Sequence, residues 1–246
     1  MIELTEQGGV AVLRLAHGKA NAMSLEFCEA LTARLTAVSS SRAVVLTGTG
    51  HIFSAGVDLL RLTEGGASYV RKFLPALCAM FAAVFSHRAP VVAAINGHAI
   101  AGGCVLACAA DRRLMARDGG HIGVTELLVG VPFPPVAMEI MRCATAPQFF
   151  ADAIFSGATV TPLEALARGW VHEVVEPPAL LERAVEAANA LAALPPDAFA
   201  LSKRQVRQPA LARMQAPDVD AAIEQIWTSS ETLARVRDYV ARTLRK

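Results

Sequence analysis

Hydrophobic positions near the start of the chain form two short runs and then a helical spacing. The runs Ile2–Thr5 and Val10–Leu15 flank Gly8-Gly9, a pair that is typical of a β-hairpin turn. The following apolar side chains recur at helical intervals, and Ser24 is placed to cap a helix that extends to about Val38. The pattern therefore predicts a hairpin followed by an amphipathic helix.

Strands and helices are predicted to alternate over the middle of the chain. Ala43–Leu46 and Val91–Ile95 are short continuous apolar runs, as expected for strands that are covered on both faces. One amphipathic helix is predicted from about Tyr69 to Phe85, and another from Gly103 to Ala110. This alternation is typical of an α/β core that contains a parallel sheet.

The C-terminal segment is predicted to be entirely helical. Pro195-Pro196 marks the clearest boundary, and helical spacing continues from there to Lys246. We therefore divide the chain into an α/β core, residues 1–194, and a helical region, residues 195–246.

Composition excludes several classes of protein. The chain has 246 residues, of which 54% are hydrophobic and 18% charged, against about 45–50% and 25% in average globular proteins. Lys and Arg number 23 and Asp and Glu 22, so there is no basic excess to bind nucleic acid and no net charge typical of disorder. The apolar excess predicts that a subunit interface covers part of the surface.

Cysteine usage and the N-terminal residues indicate a cytoplasmic location. The five cysteines have neither a C-x-x-C pair nor zinc spacing, which is typical of reduced thiols. Glu3 and Glu6 interrupt the N-terminal segment, which lacks the apolar core of a secretory signal. The uncharged stretch from Ala89 to Ala110 is long enough to span a bilayer, but one proline and three glycines favour a strand, a turn and a helix. We expect a soluble protein.

Two glycine-bearing turns follow the buried strands. The first is Phe53–Leu59, with the sequence F-S-A-G-V-D-L, and the second is Asn96–Gly103, with the sequence N-G-H-A-I-A-G-G. Small residues allow a ligand to approach the backbone closely, and Gly102 and Gly103 open a helix whose first N–H groups lack intrahelical partners. A backbone N–H from each turn can then stabilise one developing oxyanion. The alternative is that both turns are only tight connections.

Together the two turns resemble those of the enoyl-CoA hydratase/isomerase (crotonase) superfamily, and the resemblance extends from about Val10 to the C-terminus. It implies that the N–H groups of Val57 and Gly102 form the oxyanion hole. Ala101 stands where the family has the first glycine of a triplet, at a position whose N–H is not used. The resemblance also implies a spiral of ββα units and a C-terminal helical region that builds trimers, often paired as hexamers.

The acid–base residues of the family are only half present. Hydratases of the family carry one Glu two residues after the glycine triplet and a second Glu farther along the chain. Val105 occupies the first position, and Glu126 matches the second. Water addition needs a group that activates water and a source for the α-proton, whereas a single base can move a proton from C2 to C4. The segment Pro90–Pro132 accordingly looks most like that of the Δ3,Δ2-enoyl-CoA isomerases, with Glu126 as the proton shuttle.

The resemblance also implies a coenzyme A site. The family loop that grips the adenine and pantetheine corresponds to Lys19–Met23, so Lys19, Ala20 and Ala22 are assigned to binding. The two glycine turns complete the predicted site with Ser54, Ala55, Gly56, Asp58 and Gly103. Lys203, Arg204 and Arg207 are further candidates for the phosphates, and a neighbouring subunit can supply them.

Other polar and bulky side chains near these motifs receive weaker roles. We interpret four of them as structural: Asp58, His98, Asp111 and Glu164. Glu139 is a remote candidate for a second acid, and Phe133-Pro134-Pro135 is predicted to shape the acyl pocket.

The leading hypothesis is an acyl-CoA isomerase that shifts a 3-enoyl-CoA double bond to the 2-enoyl position. One alternative is an enoyl-CoA hydratase or another thioester-enolate enzyme, such as a hydrolase or decarboxylase. A second alternative is an acyl-CoA-binding homologue that has lost catalysis. We expect no metal and no cofactor, since coenzyme A is part of the substrate, and no nucleic-acid or membrane partner.

Overall fold

The computed structural model describes residues 1–215 and 217–243. The strands are β1 (Ile2–Gln7), β2 (Val10–Leu15), β3 (Ala43–Thr47), β4 (Ile52–Ser54), β5 (Val91–Ile95), β6 (His98–Ile100), β7 (Arg112–Ala116), β8 (Ile122–Gly123), β9 (Thr159–Val160) and β10 (Glu173–Val175). The helices are α1 (Leu25–Ala37), α2 (Leu59–Phe85), α3 (Gly102–Cys108), α4 (Pro135–Ala144), α5 (Pro147–Ser156), α6 (Pro162–Arg168), α7 (Leu180–Ala192), α8 (Pro196–Arg213), α9 (Pro217–Thr228) and α10 (Ser230–Thr243).

Two sheets organise these elements. The larger sheet has the order β1-β2-β3-β5-β7-β10, in which β1 pairs antiparallel with β2 and the other pairs are parallel. The smaller sheet has the order β4-β6-β8-β9. Successive units of the chain, β3-β4-α2 and β5-β6-α3, each place one strand in each sheet and then a helix. The fold is therefore an α/β spiral of ββα units, as the family resemblance implied.

The N-terminal elements confirm the predicted hairpin and helix. Gly8 and Gly9 both have positive φ, +59° and +79°, a conformation that favours glycine in a tight turn between β1 and β2. At the start of α1, the Ser24 Oγ accepts a hydrogen bond of 3.3 Å from the Phe27 N–H. The hydroxyl thereby satisfies one of the N–H groups that the first helical turn leaves without a partner.

Helix α2 begins ten residues earlier than predicted, at Leu59 rather than Tyr69. The Asp58 carboxylate caps it by accepting a hydrogen bond of 3.1 Å from the Arg61 N–H. Gly66 then interrupts the helix with φ +59° and ψ −155°. Because of this break, the apolar positions before and after Gly66 do not follow one helical period. The first turns of α2 could therefore not be predicted from the spacing of apolar residues.

By length and composition, α2 is apolar enough to cross a membrane. Its buried side chains, which include Phe73, Phe81 and Phe85, belong to the main hydrophobic core. The helix packs against α1, α9 and α10, so its apolar face is covered by protein.

The uncharged stretch from Ala89 to Ala110 forms β5, β6 and α3, as two strands and a short helix. Strand β6 (His98–Ile100) was not predicted, because three residues are too few to show a strand period. It joins β4 and β8 and so holds the second glycine turn against the first.

The predicted boundary at residues 194 and 195 falls between α7 and α8. Helix α8 packs against α4, and both α9 and α10 pack against α2. Side chains from these last helices, including Ala210, Trp227 and Val236, lie in the same hydrophobic core as the spiral. The C-terminal helices are thus continuous with the core of their own chain.

Candidate active site

A cavity of about 470 Å³ opens where the two glycine turns meet the C-terminal helices. Its walls come from both turns, from α2 and α4, from the short 3-10 turn Glu126–Val129, and from α9 and α10. Most of its lining is apolar, and the polar and charged lining residues are His17, Lys19, Asp58, Thr125, Glu126 and Tyr239.

The two glycine turns are in direct contact. A Cβ added to Gly56 would lie 3.0 Å from the Gly102 nitrogen, and one added to Gly102 would lie 3.6 Å from the Gly56 Cα. Gly56 also has a φ of +83°, so this position favours glycine for both space and conformation. Each turn therefore brings its backbone within contact distance of the other.

Hydrogen bonds hold the first turn to the loop that precedes α1. The Met23 N–H donates to the Gly56 carbonyl over 2.7 Å, and the Asp58 N–H donates to the Met23 carbonyl over 3.0 Å. The Ala55 N–H likewise donates to the Ala20 carbonyl over 3.0 Å. The first two bonds use the Gly56 carbonyl and the Asp58 N–H on either side of Val57, and they leave the N–H of Val57 itself beside the cavity.

Ala101 adopts an unusual backbone conformation immediately before Gly102. Its φ of +50° and ψ of −123° are sparsely populated by residues that carry a Cβ. Such a residue costs about 1–3 kcal/mol, and such outliers cluster at functional sites. Hydrogen bonds on both sides hold Ala101: its N–H donates to the Gly123 carbonyl over 2.7 Å, and its carbonyl accepts from the Cys104 N–H over 2.8 Å.

The N–H groups of Val57 and Gly102 remain available to a ligand. Within the described part of the chain, neither group donates a hydrogen bond to a protein acceptor. Both residues line the cavity, and Gly102 is the first residue of α3, where helical N–H groups lack intrahelical partners. Two backbone donors at one wall are suited to stabilise negative charge on a carbonyl oxygen.

Glu126 is a buried carboxyl group that lines the same cavity. Only 9% of the residue is exposed, and its Oε2 atom has no hydrogen-bond partner among the described residues. Burial raises its pKa to about 8, although hydrogen bonds from the backbone of Glu126 and Thr125 partly oppose this shift. A carboxyl group with a pKa near neutrality can both accept and return a proton.

The structure separates the predicted binding residues into two groups. Five of them line the cavity: Lys19, Ala20, Ala22, Ala55 and Asp58. Ser54, Gly56 and Gly103 do not line it and instead support its wall. The Ser54 Oγ donates to the Asn21 carbonyl over 2.8 Å and accepts from the Gly56 N–H over 3.1 Å. A Cβ on Gly103 would lie 2.2 Å from the Ser54 carbonyl oxygen, so this glycine allows close packing.

Glu139 does not lie in the cavity, so it is not placed to act as a second acid. Its carboxylate contacts Arg142 at 3.0 Å and Arg213 at 2.7 Å. Burial alone would raise the pKa of Glu139, but hydrogen bonds from Arg213 and Arg142 hold it below its ordinary value. Val105, at the other hydratase position, is fully buried in the core.

The cations suggested for the coenzyme A phosphates lie elsewhere in this chain. Asp111 accepts from Lys203 at 2.7 Å and contacts Arg207 at 2.9 Å. It also accepts from the Val91 N–H, at the start of β5, whereas the glycine turn follows the end of that strand. Asp111 is therefore structural, as predicted, and Lys203 and Arg207 are bound to it. Arg204 lines a separate cavity beside α8.

The structural role of Glu164 agrees with the structure, since Glu164 and Thr161 form the reciprocal hydrogen bonds of a capping box. His98 is hydrogen-bonded, because its Nδ1 accepts a bond of 3.1 Å from the His121 N–H, but it is exposed and not partly buried as expected. The prediction for Phe133-Pro134-Pro135 is only partly correct, because Pro134 lines the cavity and Phe133 and Pro135 do not.

Several cavity residues had not been identified from sequence motifs. They are Leu77 and Phe81 on α2, Ala137 on α4, Trp227 on α9 and Tyr239 on α10. Their spacing in the sequence is that of ordinary core-facing helical positions, so no local signal marks them as part of a site. For residues 1–215 and 217–243, no cluster of three or more His, Cys, Asp or Glu side chains is arranged to hold a metal ion.

Comparison with known proteins establishes the family. The family model described as enoyl-CoA hydratase/isomerase matches residues 5–234. The chain belongs to this family. A putative enoyl-CoA hydratase from Thermus thermophilus is 35% identical over 205 residues, which cover 80% of each chain.

Family members that are named isomerase also match most of this chain. The mouse mitochondrial enoyl-CoA delta isomerase 1 is 30% identical over 213 residues, which cover 85% of this chain and 74% of the relative. The crystal structure of human mitochondrial delta3-delta2-enoyl-CoA isomerase superposes with a TM-score of 0.93 at 26% identity. That match covers 98% of this chain and 97% of the human chain. The predicted crotonase fold is thereby confirmed.

The protein is therefore an enzyme of the enoyl-CoA hydratase/isomerase family, whose members act on acyl-CoA thioesters. Relatives carry both hydratase and isomerase names. Overall similarity therefore does not distinguish hydration from isomerisation, and the choice between the two reactions has to rest on the residues of the cavity.

Proposed function

We propose that the protein is an enoyl-CoA isomerase that moves a double bond from C3–C4 to C2–C3. One observation carries this proposal: Glu126 is the buried carboxyl group of the cavity, and Val105 occupies the position of the other family carboxylate. Hydration requires a second group that handles a proton, whereas the shift of a double bond requires one.

The cavity arrangement supports a dienolate mechanism. The thioester oxygen would accept hydrogen bonds from the Val57 and Gly102 N–H groups. The Glu126 carboxylate would remove a proton from C2, and the electron pair of that C–H bond would move toward the thioester oxygen. The neutral Glu126 would then return the proton to C4, which leaves the double bond between C2 and C3.

The two backbone N–H groups and the Glu126 carboxylate are each suited to their step in this mechanism. The two N–H groups stabilise the negative charge of the dienolate when it forms, and they need no reorganisation because the backbone already holds them. The apolar surroundings of Glu126 raise its pKa, which strengthens the ionised carboxylate as a base toward the weakly acidic C2 proton.

The coenzyme A portion would occupy the end of the cavity formed by the loop before α1. Lys19 lies there and is exposed, which supports a contact with a phosphate group. Ala20 and Ala22 offer small side chains, so the pantetheine arm can approach the backbone of this loop. We assign no additional cofactor to the reaction, because proton transfer by Glu126 is sufficient for it.

Hydratase is the second candidate, because relatives with that name match this chain well. Asp58 is the other carboxylate among the lining residues, and it already accepts a hydrogen bond as the cap of α2. This role ties Asp58 to the helix and disfavours it as a proton donor.

The test is an assay of both reactions with one purified enzyme. We expect rapid isomerisation of a 3-enoyl-CoA and slow or absent hydration of a 2-enoyl-CoA. Rapid hydration by the wild type without isomerisation would contradict the proposal.

Assembly and location are also proposals. We propose a homotrimer or hexamer that forms through the helices after Pro195. On α8, Leu201 and Val206 are 49% and 79% exposed, which supports an interface on that helix. Deletion of the region after Leu194 should leave aggregated protein, since the same region also completes the core. A soluble, active monomer from that deletion would exclude this assembly.

Cytoplasmic location stays a prediction from the cysteine pattern.

A further inference from the structure

The charged and the apolar lining residues of the cavity come from different segments of the chain. His17, Lys19 and Asp58 belong to the loop before α1 and to the first glycine turn. The side chains that line the cavity from α2, from the segment before α4, from α4 and from α9 are apolar: Leu77, Phe81, Val131, Pro134, Ala137 and Trp227. An acyl chain in the cavity would pack against these apolar side chains.

Trp227 is one of these apolar lining residues although it lies far along the chain. It is only 2% exposed, and it lines the cavity from α9. Helix α9 packs along α2, the helix that supplies Leu77 and Phe81 on the neighbouring wall. An ion pair of 3.4 Å between Arg71 and Glu224 links the same two helices at the surface.

A hydrogen bond holds the indole ring in one orientation. The Trp227 Nε1–H donates to the Pro132 carbonyl over 2.9 Å. Pro132 lies between Val131 and Pro134, two residues that also line the cavity, and it follows the 3-10 turn that begins with Glu126. The ring therefore spans from α9 to the segment that connects the catalytic turn to α4.

We propose that Trp227 is a specificity-determining residue that closes the acyl end of the cavity and limits the length of the acyl chain. This inference rests on the proposed function only in placing an acyl-CoA in the cavity. A cavity of about 470 Å³ lies low in the usual range of about 300–1,000 Å³ for small-molecule sites. Because part of this space must hold the pantetheine arm, the substrate class is linear acyl-CoA of short to medium length.

The experiment measures the binding of saturated acyl-CoA esters, which cannot be isomerised or hydrated. Butanoyl-, octanoyl- and dodecanoyl-CoA are titrated into the full-length wild type by calorimetry. The wild type should prefer octanoyl-CoA to dodecanoyl-CoA. Trp227→Ala should remove this preference and increase dodecanoyl-CoA affinity at least about tenfold relative to butanoyl-CoA, because the longer chain can then bury additional methylene groups.

Two further variants separate a length limit from loss of packing. Trp227→Leu keeps more of the core volume and should also favour the longer chain, so it provides the test if the alanine variant does not fold. Trp227→Phe keeps a flat ring but loses the hydrogen bond to Pro132, and it should retain the length limit. Ile223→Ala is the matched control, because Ile223 is a buried residue one turn earlier on α9 that does not line the cavity.

The outcomes distinguish this inference from the proposed reaction. A folded Trp227→Ala or Trp227→Leu protein with the wild-type length profile would overturn the inference, and so would an equal shift in Ile223→Ala. A shifted length profile in the Trp227 variants, together with a wild type that does not isomerise 3-enoyl-CoA, would support the inference and reject the proposed reaction. Failure of the wild type to bind any of the three esters would reject both.

Discussion

Glu126 and Glu139 are both buried carboxyl groups on adjoining segments, yet their surroundings differ completely. Glu126 is 9% exposed and Glu139 is 5% exposed. Burial raises the pKa of Glu126 to about 8, and no side-chain donor in the described structure contacts its Oε2. Glu139 is equally buried but lies between Arg142 and Arg213, whose hydrogen bonds hold its pKa below the ordinary value.

The comparison shows that low solvent exposure does not by itself raise the pKa of a carboxyl group, because charged partners stabilise the ionised form. An ion pair stabilises the charged form of Glu139 and uses its oxygens. A carboxyl group without such a partner keeps an oxygen free for substrate, at a cost in folding stability. The following predictions test this difference.

The largest expected effect is on turnover. Glu126→Gln keeps the shape of the side chain but cannot accept the C2 proton, so isomerisation should fall by about 10²–10⁴-fold or more. Glu139→Gln should leave the turnover number of the folded protein within a few fold, because Glu139 does not line the cavity. Steady-state kinetics with a 3-enoyl-CoA will compare the two variants. Equal losses of turnover in both variants would contradict the different roles of the two carboxyl groups.

The next effect concerns the backbone donors that stabilise the charge that Glu126 creates. A valine at position 102 would crowd the Met23 sulfur, which lies 3.2 Å from the site of an added Cβ. Gly102→Val should therefore displace the thioester from its donors and reduce the rate by about 10²-fold or more. Val57→Ala is the control, since that donor is the backbone N–H and not the side chain. Unchanged turnover in folded Gly102→Val would remove this N–H from the mechanism.

The pH dependence of the rate should follow the ionisation of Glu126. The base is the carboxylate, and burial raises its pKa to about 8. Below that pH, kcat/KM for isomerisation should rise about tenfold per pH unit and then level off. A profile that levels off near pH 5 would mean that the free enzyme holds Glu126 ionised by a contact absent from this structure.

Folding stability should respond to pH in opposite directions at the two sites. Between about pH 4.5 and 8, folded Glu126 keeps a proton that the unfolded chain has lost, so its contribution becomes less favourable as pH rises. Glu126→Gln removes this penalty and should gain roughly 2–5 kcal/mol relative to wild type between pH 5 and pH 8.5. Denaturant unfolding at both pH values measures the difference.

Glu139 should show the reverse sign. Its pKa is lowered on folding, so its stabilising contribution is present above the ordinary pKa of 4.5 and is lost as pH falls. Glu139→Gln should therefore be less stable than wild type at pH 7, and the gap should narrow on acidification. A gap that widens in acid would contradict the ion-pair assignment.

The smallest expected effect is at Ala101, where the site stores backbone strain. Ala101→Gly relieves the positive φ of +50° and should stabilise the fold by about 1 kcal/mol, with turnover changed only a few fold. Ala99→Gly, at a buried strand position without positive φ, should instead destabilise it. Thermal unfolding of both variants checks the sign.

Local chemistry in the sequence was sufficient to predict the turns and the caps. Gly8-Gly9, Ser24 and the Thr161–Glu164 capping box act through neighbours a few residues away, so their spacing alone predicts their structure. Glu126 and the two glycine turns could be identified because the family resemblance lies in contiguous motifs.

Long-range packing decided the rest. Whether a buried carboxylate meets an arginine depends on which helices pack together, and Arg213 reaches Glu139 from 74 residues away. Trp227 has the spacing of an ordinary core residue, and only the packing of α9 on α2 places its ring in the cavity. The start of α2 was also hidden, because Gly66 breaks the helical period that a sequence pattern needs. Side chains brought together by tertiary contacts leave no periodic trace in the chain, and so the shape of the acyl end required the folded structure.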